Sequence, residues 1–515
     1  MKNKRILFSI WIYASIALHA QTAEQPNILF VISDDLNDYV NTLYDSHPQT
    51  ETPNIAALAG MGTVFQNAFC NSPLCAPSRT SFLTGKLPDY TGVNINGMFN
   101  CSDFMANITP SHYIMPLPQY LKDSAGYFTY SLGKIYHCAA NEYDQTTSDP
   151  CSRGKSWNLL YNLGTDAISN AGQENPQGIS EIKWSRIDSS LTPFMDDYMA
   201  ADSVIAFFNR YDNDPSEFCD RPFFMAYGIK KPHSNLYIPS QYFLDYYVDD
   251  FYATPYVIPY NQPYNAYPYN GFVMPPQPAI PYSDIDSLGQ LAKDQMPFAA
   301  HNQMNSWYND LSPLPEIDPS LTDTERQNIL IESKRANGTM AYMAAVKFVD
   351  EQFGRVMSAL AEHPDLYNNT IVIFVSDHGF AWGEKKHYGK AQLYETDIRV
   401  PLIIADLRNP VANVTQRTVS LIDLYPTICE YAGVSLPVFA DGTPYLDGKS
   451  LIPLTQNPNL QIETPAIIQI RNSVDGMACF PQSSVRNENY HYIRFISNGG
   501  PGATACDSAN TYTEK

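Results

Sequence analysis

The sequence predicts an α/β fold in which a large, mostly parallel central sheet is flanked by helices. Three observations carry that reading. Two short apolar runs, Ile28 to Ile32 and Ile371 to Val375, lack polar alternation and are too short for helices, as expected of strands buried on both faces. Each run ends in Ser-Asp followed by a second ionisable residue, in "VISDD" and "FVSDH". Helical patterns lie between and after them, and strands alternating with helices indicate a parallel sheet. Ligands of such sheets bind beyond the carboxyl ends of the strands, where both Asp-bearing tails lie.

Taken in order, the elements are these. Lys2, Lys4 and Arg5 precede the apolar stretch Ile6 to Leu18, and small residues near Ala20 and Ala23 follow. This is the layout of a signal peptide, so residues 1–22 are set apart from the fold and the chain is expected to be exported, periplasmic or secreted. After it, no apolar run of 18 residues occurs, and no transmembrane anchor is expected. The segment 52–65 opens with Thr52 and Pro53, a helix-start signal, and reads as a helix. A longer helix is predicted over 339–361 from apolar residues near 3.6 spacing, and another over 420–433 ending at Gly433. Residues 251–283 are dense in Tyr and Pro, and read either as an irregular surface loop or as an aromatic wall beside a sugar-binding cleft. A late strand is expected over 489–496.

The 515 residues are 44% hydrophobic and 17% charged, enough to bury a large core. The formal charge of −21 argues against nucleic acid and anionic membranes as partners. An anionic substrate therefore needs a local basic pocket. The nine cysteines are an odd number, and in an oxidising compartment one is left over. Cys75 is the natural candidate, but spacing alone fixes no bridge.

The ionisable residues with unusual context fall into two sets. Asp34 and Asp35 follow one strand, and Asp377 and His378 follow the other. Carboxylates converging from two strand ends suit a hard divalent cation such as Ca²⁺ or Mg²⁺. The cationic set sits in Gly- or Pro-marked turns: Lys134 and His137 in "LGKIYH", Lys231 and His233 in "IKKPHS", His387 and Lys390 in "EKKHYGK". Together they describe a pocket for a multiply charged oxyanion, with cations neutralising the oxygens and histidines handling protons. Cys75 in such a pocket reads as a nucleophilic thiolate. These residues alone reach metal-assisted hydrolysis of a phosphate or sulfate ester.

The string "CAPSRTSFLTG", Cys75 to Gly85, resembles the signature of the type I sulfatases, C-x-P-S-R followed by Thr-Gly. The K-x-x-H of Lys134 and His137, the "KPH" ending at His233, the "SDHG" at Asp377 and "GEKKHYGKAQLYETDIRVPLI" resemble iduronate-2-sulfatase and its bacterial polysaccharide-sulfatase relatives. The likeness runs from about Asn27 to Leu454. It implies an alkaline-phosphatase-like sandwich with a small C-terminal α+β subdomain. The chain would divide into a signal peptide (1–22), a catalytic domain (23–455) and a C-terminal subdomain (456–515) that is incomplete or reduced.

The resemblance also implies roles. A sulfatase-maturing enzyme, formylglycine-generating or of another type, would oxidise Cys75 to Cα-formylglycine. Its hydrate would attack sulfur with one hydroxyl and expel sulfate through the second. Asp34, Asp35, Asp377 and the modified residue 75 would hold Ca²⁺, with His378 at the remaining position. Arg79 and Lys134 would stabilise the hydrate, and Lys134 would also reach the sulfate. His137 would take the proton of the second hydroxyl, Lys390 would bind sulfate oxygens, and His233 would protonate the leaving alcohol. His387 is expected in the substrate-binding set. The implied substrate is a sulfated carbohydrate. The alternatives are a phosphonate or phosphodiester hydrolase of the same superfamily and a non-catalytic glycan-binding relative.

Overall fold

The computed structural model describes residues 25–40, 43, 49–96, 114–137, 149, 151, 154–161, 174–179, 182–243, 322–384, 387–462, 465–474, 477–497 and 510–513. The signal-peptide reading of 1–22 and the Tyr/Pro segment 251–283 lie outside these residues. The strands run β1 (Asn27–Asp34), β2 (Thr63–Phe69), β3 (Phe128–Gly133), β4 (Leu159–Tyr161), β5 (Glu174–Ile179), β6 (Ile182–Ile187), β7 (Phe223–Pro232), β8 (Leu236–Pro239), β9 (Thr370–Ser376), β10 (Ala381–Trp382), β11 (Tyr388–Gly389), β12 (Leu402–Asp406) and β13 (Asn413–Ser420). A C-terminal group follows: β14 (Ala466–Val474), β15 (Met477–Arg486), β16 (His491–Ser497) and β17 (Asn510–Thr513).

The fold is an alkaline-phosphatase-like sandwich built on an eight-stranded sheet of order β13-β2-β12-β9-β1-β7-β3-β4. β1 pairs in parallel with β9 on one side and β7 on the other, and β7 pairs in parallel with β3. β12 alone runs against its neighbours in this sheet. The C-terminal strands form a separate antiparallel sheet, β14 to β17 in sequence order.

The two apolar runs read as strands are β1 and β9, and they lie side by side, Ile28 opposite Ile371 and Ile32 opposite Val375. Their residues alternate between two cores. Leu29, Val31, Val372 and Phe374 enter one; Ile28, Phe30, Ile32, Ile371, Ile373 and Val375 enter the other. A sheet covered on both faces accounts for the missing polar alternation. The helix α1 (Pro53–Ala59) is shorter than the 52–65 expected, because Gly60 ends it and "TVF" enters β2. Thr52 makes no side-chain cap bond there. The β-branched Thr63 and Val64 favour the strand. The helix α2 (Cys75–Thr84) follows β2.

The long helix α3 (Asp323–Ala361) exceeds the predicted 339–361 at its N-terminal side, and from residue 340 onward it packs one face of the sheet through Met340, Phe348, Val349, Phe353 and Leu360. The last predicted helix is a capping box at Ser420 and Asp423, a 3-10 turn, and α5 (Leu424–Tyr431), which packs the opposite face. Between them lies the short α4 (Glu395–Ile398).

Cys151 and Cys219 form a disulfide across a separation of 68 residues, whereas Cys70, Cys75 and Cys429 are free thiols. Cys70 is buried, with Sγ 3.8 Å from the Asp397 carbonyl. Closing a loop of this length restricts the unfolded chain by about 4 kcal/mol in the chain-entropy treatment. Cys151→Ser is expected to lower unfolding free energy by up to that amount. Denaturant titration in the absence of reductant measures it, and an unchanged midpoint would show that the pair does not brace the fold.

Candidate active site

The order of the central strands places the site. β9, β1, β7 and β3 are consecutive and parallel, so their carboxyl ends share one edge. Along that edge the chain delivers Asp377 and His378 after β9, Asp34 and Asp35 at the end of β1, His233 after β7, and Lys134 and His137 after β3. Asp35 has φ 64°, a left-handed backbone that Asp tolerates better than most residues. A continuing strand would point adjacent side chains to opposite faces. Breaking it here lets Asp34 and Asp35 turn carboxylate oxygens into one cluster with Cys75 and His233, all within 4.8 Å of one another. A second group of the same tightness joins Asp34, Cys75, Asp377 and His378.

Two glycines let the lysine end of β3 close on β7. A Cβ at Gly133 would lie 2.1 Å from the Gly228 carbonyl oxygen, and one at Gly228 would lie 2.1 Å from that of Lys134. Lys134 N donates to Gly228 O at 3.1 Å across this gap.

Cys75 is the first residue of α2, buried at the helix N-terminus. The following amide, Ala76 N, donates to Asn96 Oδ1 at 2.9 Å. Around Sγ stand His378 Nε2 at 3.3 Å, Lys390 Nζ at 3.1 Å and Lys134 Nζ at 3.9 Å. Burial pushes the thiol pKa up, but Lys134, Lys390, His378 and a hydrogen bond with His137 outweigh it and hold the thiol well below its usual value. The partial positive charge of a helix N-terminus acts in the same direction.

One turn along α2, Arg79 joins the two strand tails. Its Nε donates to Asp377 Oδ2 at 2.7 Å and its Nη2 to Asp34 Oδ1 at 3.1 Å. Its Nη1 donates to the carbonyls of Lys134 and Ile135. The guanidinium is fully buried; burial disfavours its charge, and Asp377 and Asp34 more than restore it. Lys134 also pairs with Asp34, and Lys390 with Asp35 at 2.6 Å.

The three aspartates do not share one environment. Burial raises the Asp34 carboxyl, but Lys134 heads the cations that bring it far below the ordinary range. Asp377 is pushed up to about 6 by burial, which Arg79 and His378 offset only in part. Burial also opposes the charged His378 ring, yet Asp377 and Cys75 raise its pKa to about 9.

Ten of the eleven residues expected at the site are thus brought together: Asp34, Asp35, Cys75, Arg79, Lys134, His137, His233, Asp377, His378 and Lys390. His233 Nε2 lies 4.0 Å from both Asp34 and Asp35. His387 has a different partner: its Nε2 is 2.9 Å from Asp397 Oδ2 and the residue is buried. Lys231, in the same turn as His233, points its ammonium to Asn235 O at 2.6 Å.

Sequence reasoning passed over the groups that hold this cluster. Ser78 Oγ donates to Asp377 O at 2.5 Å. Ser376 Oγ accepts from Leu36 N at 3.0 Å, which ties the two strand tails together. Tyr342 Oη donates to Asp35 O at 2.6 Å and accepts from Asn37 N at 2.8 Å, spanning the left-handed residue. Tyr342 lies on the apolar stripe of α3, where an aromatic reads as core and carries no separate signal.

The donor set fits a hard cation. Two ligand groups share Asp34 and Cys75, one adding Asp35 and His233 and the other Asp377 and His378, so three carboxylates offer oxygens around one buried centre.

A family model described as Sulfatase matches residues 26–434. A sulfatase of Formosa agariphila is 28% identical over 480 residues, covering 92% of this chain and 79% of that protein. The iduronate 2-sulfatase of Mus musculus is 26% identical over 445 residues, covering 80% of this chain and 69% of that protein. Among solved structures, the phosphonate monoester hydrolase of Agrobacterium radiobacter superposes with a TM-score of 0.63 at 18% identity, covering 95% of this chain and 89% of that one.

The buried ion pairs predict a stability test. Truncating one partner leaves uncompensated buried charge, at a cost of about 3–5 kcal/mol. Arg79→Ala is expected to lose that much in chemical denaturation. A loss under about 1 kcal/mol would show that Arg79 does not hold the strand tails together.

Proposed function

From the premise that this chain belongs to the sulfatase family and is a sulfuric ester hydrolase, we propose that it hydrolyses sulfate esters of a sulfated glycan, with residue 75 as a formylglycine nucleophile and Ca²⁺ bound beside it. The observation that carries the reading is the convergence on residue 75 of Arg79, Lys134, His137, His378 and Lys390 with the Asp34, Asp35 and Asp377 carboxylates. The iduronate 2-sulfatase likeness supports a sugar substrate.

In this reading Asp34, Asp35, Asp377 and residue 75 would hold the calcium ion, with His378 as the further candidate ligand, and the cation would supply positive charge at the reacting centre. A hydrated aldehyde at position 75 supplies one hydroxyl to attack sulfur and a second whose deprotonation lets sulfate leave. The remaining work falls to side chains. The side chains of Lys134, His233 and Lys390 are partly exposed, at 14%, 26% and 18%, so the sulfate group enters against them. Lys134 and Lys390 neutralise its oxygens. His137, hydrogen-bonded to residue 75, takes the hydroxyl proton. His233, on the solvent side of Asp34 and Asp35, gives a proton to the leaving alcohol oxygen. Arg79 is too enclosed to meet substrate and holds Asp34 and Asp377 in place.

Export is part of the proposal. The Cys151–Cys219 disulfide supports an oxidising compartment, and among the described residues no helix is long and apolar enough to cross a membrane. The same cations suit a tetrahedral phosphorus centre, and the phosphonate hydrolase shares the fold, so a phosphonate or phosphodiester hydrolase is the second reading.

Two measurements test the first. Purified mature enzyme is expected to release inorganic sulfate from aryl sulfates and sulfated oligosaccharides, to carry an aldehyde at residue 75 by peptide mass, and to lose turnover but not fold on Cys75→Ala. Faster hydrolysis of aryl phosphodiesters than of sulfates would favour the second reading, and full activity with an unmodified cysteine would refute the nucleophile. Asp377→Ala is expected to abolish stoichiometric calcium in metal analysis; unchanged calcium would refute its place in the donor set.

A further inference from the structure

We propose that Asp397 and His387 are positioning residues that hold Lys390 against residue 75. His387 would then not contact substrate. The inference rests on the reading above, in which Lys390 meets the sulfate group.

Lys390 follows β11, one arm of the two-stranded β10–β11 ribbon that pairs with no other strand among the described residues. Its backbone neighbours both have positive φ, 95° at Gly389 and 77° at Ala391. Glycine adopts that conformation freely, but alanine does not, so the turn at Ala391 needs outside support. Three contacts provide it. Asp397 Oδ2 accepts from Gln392 N at 2.9 Å, two residues after the lysine. The same oxygen lies 2.9 Å from His387 Nε2, three residues before it. Ala391 N donates to Pro73 O at 3.1 Å, which ties the turn to the segment entering Cys75. One buried carboxylate thus clamps both flanks of Lys390.

Asp397 also reaches the other side of the cluster. Its carbonyl accepts from Gly379 N at 2.8 Å, directly after His378. The approach is tight, since a Cβ at Gly379 would lie 2.0 Å from Thr396 O. The short α4 that carries Asp397 therefore sets the spacing between the His378 turn and the Lys390 turn. Lys390 Nζ sits within 2.6 Å of Asp35 and 3.1 Å of Cys75 Sγ, so a shift of the ribbon breaks both contacts.

The test uses mature, metal-loaded enzyme with an aryl sulfate as substrate and inorganic sulfate as inhibitor. Asp397→Ala is expected to lower kcat/KM about 10²-fold, the scale of an ångström's misplacement, and to weaken sulfate inhibition. His387→Ala is expected to show the same pattern in smaller degree, and His387→Gln, which keeps a donor toward Asp397, to recover most of the activity. Adding Ala391→Gly to Asp397→Ala is expected to restore activity several-fold, because glycine removes the backbone strain, while Ala391→Gly alone stays within about two-fold of wild type. Loss in His387→Gln equal to that in His387→Ala would return His387 to substrate contact and overturn the proposal. Wild-type kcat/KM in a folded Asp397→Ala, or absence of any rescue by Ala391→Gly, would overturn it as well. Amide exchange gives a readout independent of the reaction: Asp397→Ala is expected to accelerate exchange at Gln392 and Ala391 without lowering protection in β1. Wild-type enzyme that releases no sulfate fails the functional reading, and unchanged exchange at those amides fails this one.

Discussion

Burying carboxylates where parallel strands end is the constraint from which the rest of the site follows. Asp34, Asp35 and Asp377 are all taken out of water, and an isolated buried carboxylate reverts to its neutral acid. Arg79 answers this for two of them at once, because its planar fork bonds Asp377 through one edge and Asp34 through another nitrogen. A lysine in its place would offer one ammonium, which cannot span both. Arg79 lies on the same helix as Cys75, one turn on, so its bonds to Asp34 and Asp377 tie the nucleophile position to both strand tails.

The same constraint explains the placement of the other cations. The chain as a whole carries −21, yet its ionic centre gathers Arg79, Lys134, Lys390 and a His378 ring whose pKa is raised to about 9. Each comes from a different connection: α2, the β3 end, the β11 turn and the β9 end. Convergence of this kind depends on the parallel pairing of β9, β1, β7 and β3, which brings four carboxyl ends to one edge. Acidic bulk and basic pocket together draw an anion to this place and repel it elsewhere.

Much of this was legible in the residues. The strands carrying Asp34 and Asp377 are apolar on both faces and end in matching Ser-Asp tails, so their burial and the convergence of those tails could be anticipated; β7 and β12 share the apolar pattern without the tail. The cationic turns stood out because lysines are scarce in the chain and Gly or Pro marked them. What the sequence hid was of two kinds. Helix 52–65 was overextended because a Pro-led helix signal gives its start and says little about its end; Gly60 and the β-branched pair after it decided the boundary. The supporting groups were hidden because Tyr342 and Ser376 act through backbone atoms of remote segments, and no spacing rule encodes such contacts. His387 was grouped with the pocket cations because its neighbours in sequence belong to them, and the spacing gave no sign that its ring turns to Asp397.

The electrostatics of the cysteine form bear on why a thiol would be replaced. With residue 75 as a depressed-pKa thiolate, Lys134, Lys390 and His378 are already engaged by an anion at the centre of the cluster. A sulfate ester is itself an anion, and it would meet a pocket whose cations are spoken for. The conversion proposed for residue 75 exchanges the thiolate for an uncharged aldehyde or its hydrate. One negative charge leaves the cluster and the surrounding cations stay, so the local balance shifts toward positive, the direction that an anionic ester needs. On this argument the modification supplies a nucleophile with two hydroxyls and also opens the electrostatic vacancy that the substrate fills. An unmodified chain would then be poor at binding sulfate as well as at turning it over.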